Sequence, residues 1–118
     1  MTLQVDVRVY DKHGEYSEIE LESGKELAGI AGCRFSLYGS DLGIRLGFKL
    51  LPELKQSDLY VEAQQFEELE YELKTILEKI QEFSQASGLR EDYIQSRVQN
   101  IWDAVQLAKK VDGVTVIW

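Results

Sequence analysis

The chain has 118 residues, a formal net charge of −8 from 13 basic and 21 acidic side chains, one cysteine and one proline. A chain of this length buries roughly two-thirds of its unfolded surface, and a 44% hydrophobic content supplies a core without disulfide or metal staples, so disorder is excluded as the main state and one domain over residues 1–118 is expected. The charge opposes the phosphates of nucleic acid and the anionic face of a membrane, both of which are bound largely through Lys and Arg, so neither is expected as a partner.

The opening residues, Met1 to Asp6, put a carboxylate where a secretory leader carries basic residues followed by an apolar run. No stretch approaches the roughly 18 apolar residues of a membrane span. The expectation is a cytoplasmic protein, and the lone Cys33, which has no intrachain partner, agrees with a reducing compartment.

Leu3, Val5, Val7 and Val9 alternate with Gln4, Asp6, Arg8 and Tyr10, the period of two that marks a half-buried strand. Asp11 to Gly14 supply turn residues, and Ser17, Ile19 and Leu21 then alternate with Glu18, Glu20 and Glu22, which predicts a hairpin with three carboxylates on its solvent face. The small residues of Leu27 to Gly32 read as a crossing loop. Alternation returns at Cys33, Phe35 and Leu37, pauses at Gly39-Ser40-Asp41, and resumes at Ile44, Leu46, Phe48 and Leu50. This predicts a second hairpin, ended by Pro52, with Arg34, Tyr38, Arg45 and Lys49 on its other face. Lys55 to Tyr60 reads as a short border between strands and helices.

From about Gln64 the period becomes helical. Phe66, Leu69, Leu73, Ile76, Ile80 and Phe83 form one stripe that ends at the capping pair Ser87-Gly88. A second helix from about Arg90 carries Ile94, Val98, Ile101, Val105 and Ala108 on one face, has Lys109 and Lys110 in its last turn, and stops at Gly113. The β-branched run Val114 to Ile117 predicts a final strand. The expected fold is therefore α+β in the order ββββααβ: an antiparallel sheet of about five strands, made of two N-terminal hairpins and a C-terminal strand, with an antiparallel pair of long helices on one face.

Chemistry is sparse. One His and one Cys do not make a Cys/His zinc site. His13 lies in a predicted turn, and Cys33 sits where a free thiol acts as a small buried hydrophobe. Glu68 and Glu72 share a helical face but lack the Glu-x-x-His motifs of carboxylate-bridged metal sites. Gly39, Gly43 and Gly47 match neither the P-loop nor the dinucleotide spacing. No catalytic residue, metal ligand or cofactor is assigned. Glu70 and Lys74 have the orientation of a weak helical ion pair, and Arg34, Arg45 and Lys49 beside Tyr38 form a candidate anion-binding surface.

Charge without chemistry points to a protein-binding module. Glu18, Glu20 and Glu22, with Glu67, Glu68, Glu70 and Glu72, would meet a basic protein partner, one form of which is an immunity or inhibitor protein masking a basic target. The expected state is a monomer or weak homodimer. A structural homo-oligomer joined through the Phe66–Phe83 stripe is the second reading. The third is a small-molecule enzyme with a site between sheet and helices that uses His13, Arg34, Arg45 and nearby glutamates.

Overall fold

The first strand organises the sheet. In the computed structural model, which describes residues 2–118, β1 (Thr2–Tyr10) buries Leu3, Val5 and Val7 on one face and pairs with three other strands, all antiparallel. Met1, where the leader reading begins, lies outside the described residues. β2 (Tyr16–Glu18) and β3 (Leu27–Ile30) pair with the C-terminal and N-terminal parts of β1, while β5 (Val114–Ile117) pairs along its middle and carries β4 (Leu59–Val61) on its far side. The described residues thus form a five-stranded antiparallel sheet in an α+β fold. The first hairpin forms as expected, although its second strand ends at Glu18, before Glu20 and Glu22.

Two strands lie where the sequence suggested none. Leu27–Ile30, read as a loop, is β3. Its small residues permit close packing: a Cβ on Gly29, whose φ is +129°, would lie 2.9 Å from Cys33 Sγ. Strand propensity does not reveal such a strand, because it is held by contact and not by β-branched side chains. Leu59–Val61 is β4, with Leu59 and Val61 turned into the core and Tyr60 turned out. It is too short for periodicity to separate from a border segment.

The predicted second hairpin does not form. Arg34–Tyr38 is a single π-helical turn, α1 (Asp41–Arg45) is a short helix, and Leu51–Lys55 is a 3-10 turn with Pro52 in its opening positions. Local capping outweighs the alternation here: the Ser40 hydroxyl accepts a hydrogen bond from Gly43 N–H, with Asp41 in the first turn and Arg45 in the last. The assigned faces change accordingly. Phe35 and Ile44, placed inward, are exposed, whereas Tyr38, placed outward, is buried and donates its hydroxyl to Ala28 C=O at 2.6 Å.

A carboxylate anchors this irregular segment. Glu72, 1% exposed, accepts the backbone N–H groups of Lys49 and Leu50 at Oε2 (2.9 and 3.0 Å) and of Leu51 at Oε1 (2.9 Å). These donors sit at the mouth of the 3-10 turn, where the backbone cannot satisfy them itself.

The long helix expected from Gln64 to Ser87 breaks at Lys79 into α2 (Phe66–Glu78) and α3 (Ile80–Ser87), and Gly88 closes α3 at φ 76°. Beyond the break, Phe83 of α3 stacks on Phe48, with ring centroids 5.9 Å apart. The three-and-four spacing runs straight through the break, so the sequence pattern alone does not disclose it. α4 (Glu91–Val111) packs across β1, β3 and β5 and against α2 and α3, with Ile94, Val98, Ile101, Val105 and Ala108 buried. It ends at Asp112 in the left-handed region, followed by Gly113, where a Cβ would meet Arg8 C=O at 2.6 Å. Glycine is required there because the chain turns from α4 into β5 against the backbone of β1.

Leu73 and Ile101 are both fully buried. Leu73→Ala and Ile101→Ala should each cost about 2–5 kcal/mol in denaturant melts through lost transfer energy and a residual cavity. Glu72→Gln keeps the volume but turns an N–H donor toward backbone N–H groups. We expect a loss of about 2–4 kcal/mol, from weakened charge-assisted bonds and a stranded donor, together with lost hydrogen-exchange protection at Leu50 and Leu51.

Candidate protein-binding surface

The helices cover one face of the sheet, and its outer face is built from the alternate residues. Register sets Tyr16 opposite Tyr10, Glu18 opposite Arg8, Val116 opposite Asp6 and Tyr60 opposite Val116, while Trp118 exchanges backbone hydrogen bonds with Gln4. Four large aromatic side chains remain partly open on this face: Tyr10 (43%), Tyr16 (48%), Tyr60 (51%) and Trp118 (40%). Val116 beneath them is fully buried yet stands outside the continuous hydrophobic core, so the aromatic layer forms a small second cluster on the side away from the helices.

Arg8 occupies the centre of that layer. Its guanidinium donates to Asp6 Oδ2 at 3.2 Å and to the Tyr60 hydroxyl at 3.5 Å, and lies 4.5 Å from the Tyr16 ring centroid and 5.6 Å from that of Tyr60. Burial works against the charge, but hydrogen bonds with Asp6, Tyr60 and Tyr10 outweigh it and raise the pKa of Arg8 above its usual value. Its Nε is buried without a partner. The Trp118 indole N–H donates to the same Asp6 oxygen at 2.8 Å.

Beside this layer runs a cleft of about 550 Å³ lined by the carboxylates Asp6, Glu18, Glu20 and Glu26, with Ile19 and Leu21 as apolar wall and no basic side chain. The loop that forms its far side is tied to α4: Asn100 Nδ2 donates to Gly24 C=O (3.1 Å) and Leu27 C=O (2.9 Å), and Lys25 pairs with Asp103 at 3.0 Å. Glu20 also borders a second cleft, of about 420 Å³, between that loop and α4, where Glu22 and Lys25 join the lining. Glu18, Glu20 and Glu22 are all exposed, and none takes part in a salt bridge among the described residues.

The helical half of the predicted acidic surface is smaller than its sequence suggested. Glu67 and Glu68 are exposed, but Glu72 is withdrawn into the core by its three backbone donors. Glu70 pairs with Lys109 of α4 at 2.8 Å and accepts from Gln106 at 2.6 Å; this interhelical contact is absent from the expected Glu70–Lys74 pairing. The predicted anion surface loses its scaffold with the second hairpin. Arg34 donates to Leu54 C=O, Ser57 C=O and Asp58, clamping the 3-10 turn, while Arg45 and Lys49 lie exposed on other segments.

His13 is exposed in the β1–β2 turn, where its backbone N–H and that of Glu15 donate to Asp11 Oδ1. Cys33 is fully buried, and burial pushes its thiol pKa up, away from the thiolate a nucleophile requires. Among the described residues no group of three or more His, Cys, Asp or Glu side chains is arranged to hold a metal ion, and no helix is long and apolar enough to cross a membrane. Sequence reading missed the aromatic layer. Its signal was present in the outward positions of β1, but Tyr60 and Trp118 join only through the pairing of β4 and β5.

Comparison of the chain with protein-family models, with curated proteins and with solved structures finds no match in any of the three.

Partial burial acts to raise the pKa of Glu70, but hydrogen bonds from Lys109 and Gln106 prevail and hold it below the ordinary carboxylate range. A carboxyl depressed in the folded state stabilises the fold above its unfolded pKa and loses that contribution as pH falls through the folded pKa. Lys109→Met should therefore raise the Glu70 titration midpoint, followed by carboxyl carbon NMR, and shrink the loss of stability seen on acidification.

Proposed function

We propose that this protein is a small binding module without a catalytic role, which recognises a basic protein partner through the acidic surface of β2 and the loop after it. The supporting observation is the set of unpaired, exposed carboxylates Glu18, Glu20 and Glu22: Glu18 and Glu20 line an acidic cleft without a basic side chain, and Glu22 lines the adjoining cleft beside α4, which Lys25 also borders. Carboxylates held apart from cations keep their full field, and a net charge of −8 extends that field in the direction that accelerates encounter with a positive surface. An inhibitor or immunity protein that masks a basic target is one form of this activity. The homo-oligomer reading has less to rest on, because Phe66, Leu69, Leu73, Ile76 and Phe83 are buried within the chain itself.

The test is to isolate partners from lysate of the source cells and measure association kinetics with the purified partner. The partner should be basic, association should slow as salt rises, and the triple reversal Glu18→Lys, Glu20→Lys, Glu22→Lys should lower the on-rate by about tenfold or more with little change in thermal stability. Recovery of acidic or uncharged partners alone, or binding indifferent to both salt and reversal, would refute the reading.

A further inference from the structure

The outer sheet face raises a separate question. Carboxylates steer a partner, but Tyr, Trp and Arg side chains in desolvated clusters supply most of the holding energy at protein interfaces. Here Tyr10, Tyr16, Tyr60 and Trp118 stand partly open around a buried guanidinium, next to Glu18 and the acidic cleft. The rings cover Val116 and flank Arg8 on their inner side, yet 40–51% of each aromatic residue stays open to solvent.

We infer that this face is a docking surface for an arginine-bearing segment of a basic protein, with the tyrosine rings as stacking partners and Glu18 as the carboxylate that takes the guanidinium fork. The inference rests on the acidic-surface reading above and adds the chemistry of the partner. Arg8 provides the internal precedent, since its guanidinium already lies 4.5 Å from the Tyr16 ring centroid. A guanidinium stacks on an aromatic face and bonds a carboxylate through two parallel N–H groups, whereas an ammonium is a more strongly hydrated point charge. Charge complementarity selects the occupant. Glu18, directly across from Arg8 in the strand register, is exposed and unpaired, and the adjoining cleft adds Glu20 and Glu26. Single-stranded nucleic acid also stacks on sheet aromatics, but these carboxylates would repel its phosphates.

The experiment is an NMR-monitored titration of the full chain at low salt with capped hexa-arginine, capped hexalysine and a deoxythymidine hexanucleotide. Hexa-arginine should bind about fivefold or more tightly than hexalysine. Its shifts should centre on the Trp118 indole N–H and the Tyr10, Tyr16 and Tyr60 rings. Tyr16→Leu, which keeps apolar cover over Arg8, and Tyr60→Leu should each bring the two peptides to within about twofold of one another. Equal binding of the two peptides with salt dependence intact would overturn this inference and leave the acidic-surface reading standing. Failure of both peptides to bind would overturn this inference, while the acidic-surface reading is decided by the partner isolation above. Tighter binding of the oligonucleotide would overturn the choice of occupant.

Discussion

Glu72 reaches from α2 into the core and accepts three backbone N–H groups of residues 49–51. The segment from Arg34 to Lys55 contains only a π-helical turn, a five-residue helix and a 3-10 turn, none long enough to satisfy its own backbone. Burying a carboxylate costs several kcal/mol unless its oxygens are fully bonded, and here the donors left over by one irregular segment meet the acceptor that most needs them. The segment in turn presents Leu50, Leu51 and Leu54 to the core and places Phe48 against Phe83 of α3. The break at Lys79, the seating of α3 and the burial of Tyr38 are part of the same packing problem.

The acidic residues divide by environment more sharply than by number. Glu72 holds backbone, Glu70 joins α2 to α4 through Lys109, Asp6 holds Arg8 and Trp118, Asp103 holds the β2–β3 loop through Lys25, and Asp58 holds Arg34. Glu18, Glu20 and Glu22 have no such assignment; Glu18 and Glu20 line the acidic cleft, and Glu22 lines the one beside α4. A count of carboxylates therefore overstates the surface available to a partner. The unpaired ones near β2 are the informative ones, because they lie beside the open aromatic layer.

β1 links the two halves of this arrangement. Its inward residues carry the core that α4 covers, and its outward residues carry Asp6, Arg8 and Tyr10. Gly113 brings β5 in close behind Arg8, and that approach sets Val116 beneath the rings. The position of the outer face is therefore tied to the helix core through one strand and one tight connection.

Local pattern was enough for β1, the first turn, α4 and β5, and for the α+β class. Each of these elements has a pattern clear enough to read or a stop that marks its end: the alternation of Leu3, Val5 and Val7, the stripe from Ile94 to Ala108, and Gly113 just past the end of α4. The exposure of Glu18 followed from the same alternation, whereas Glu20 and Glu22 are exposed in the loop after β2. Tertiary structure alone decided the rest. β3 is a strand because Ala28 and Gly29 pack close, and Cys33 to Leu50 is helical and irregular because Ser40 caps α1 and Glu72 collects the amides of residues 49–51. The aromatic layer exists because β4 and β5 bring Tyr60 and Trp118 onto the sheet face that carries Tyr10 and Tyr16. Periodicity reports which way a side chain points along one element, whereas a buried carboxylate's donors and a surface assembled from four strands depend on residues far apart in the chain.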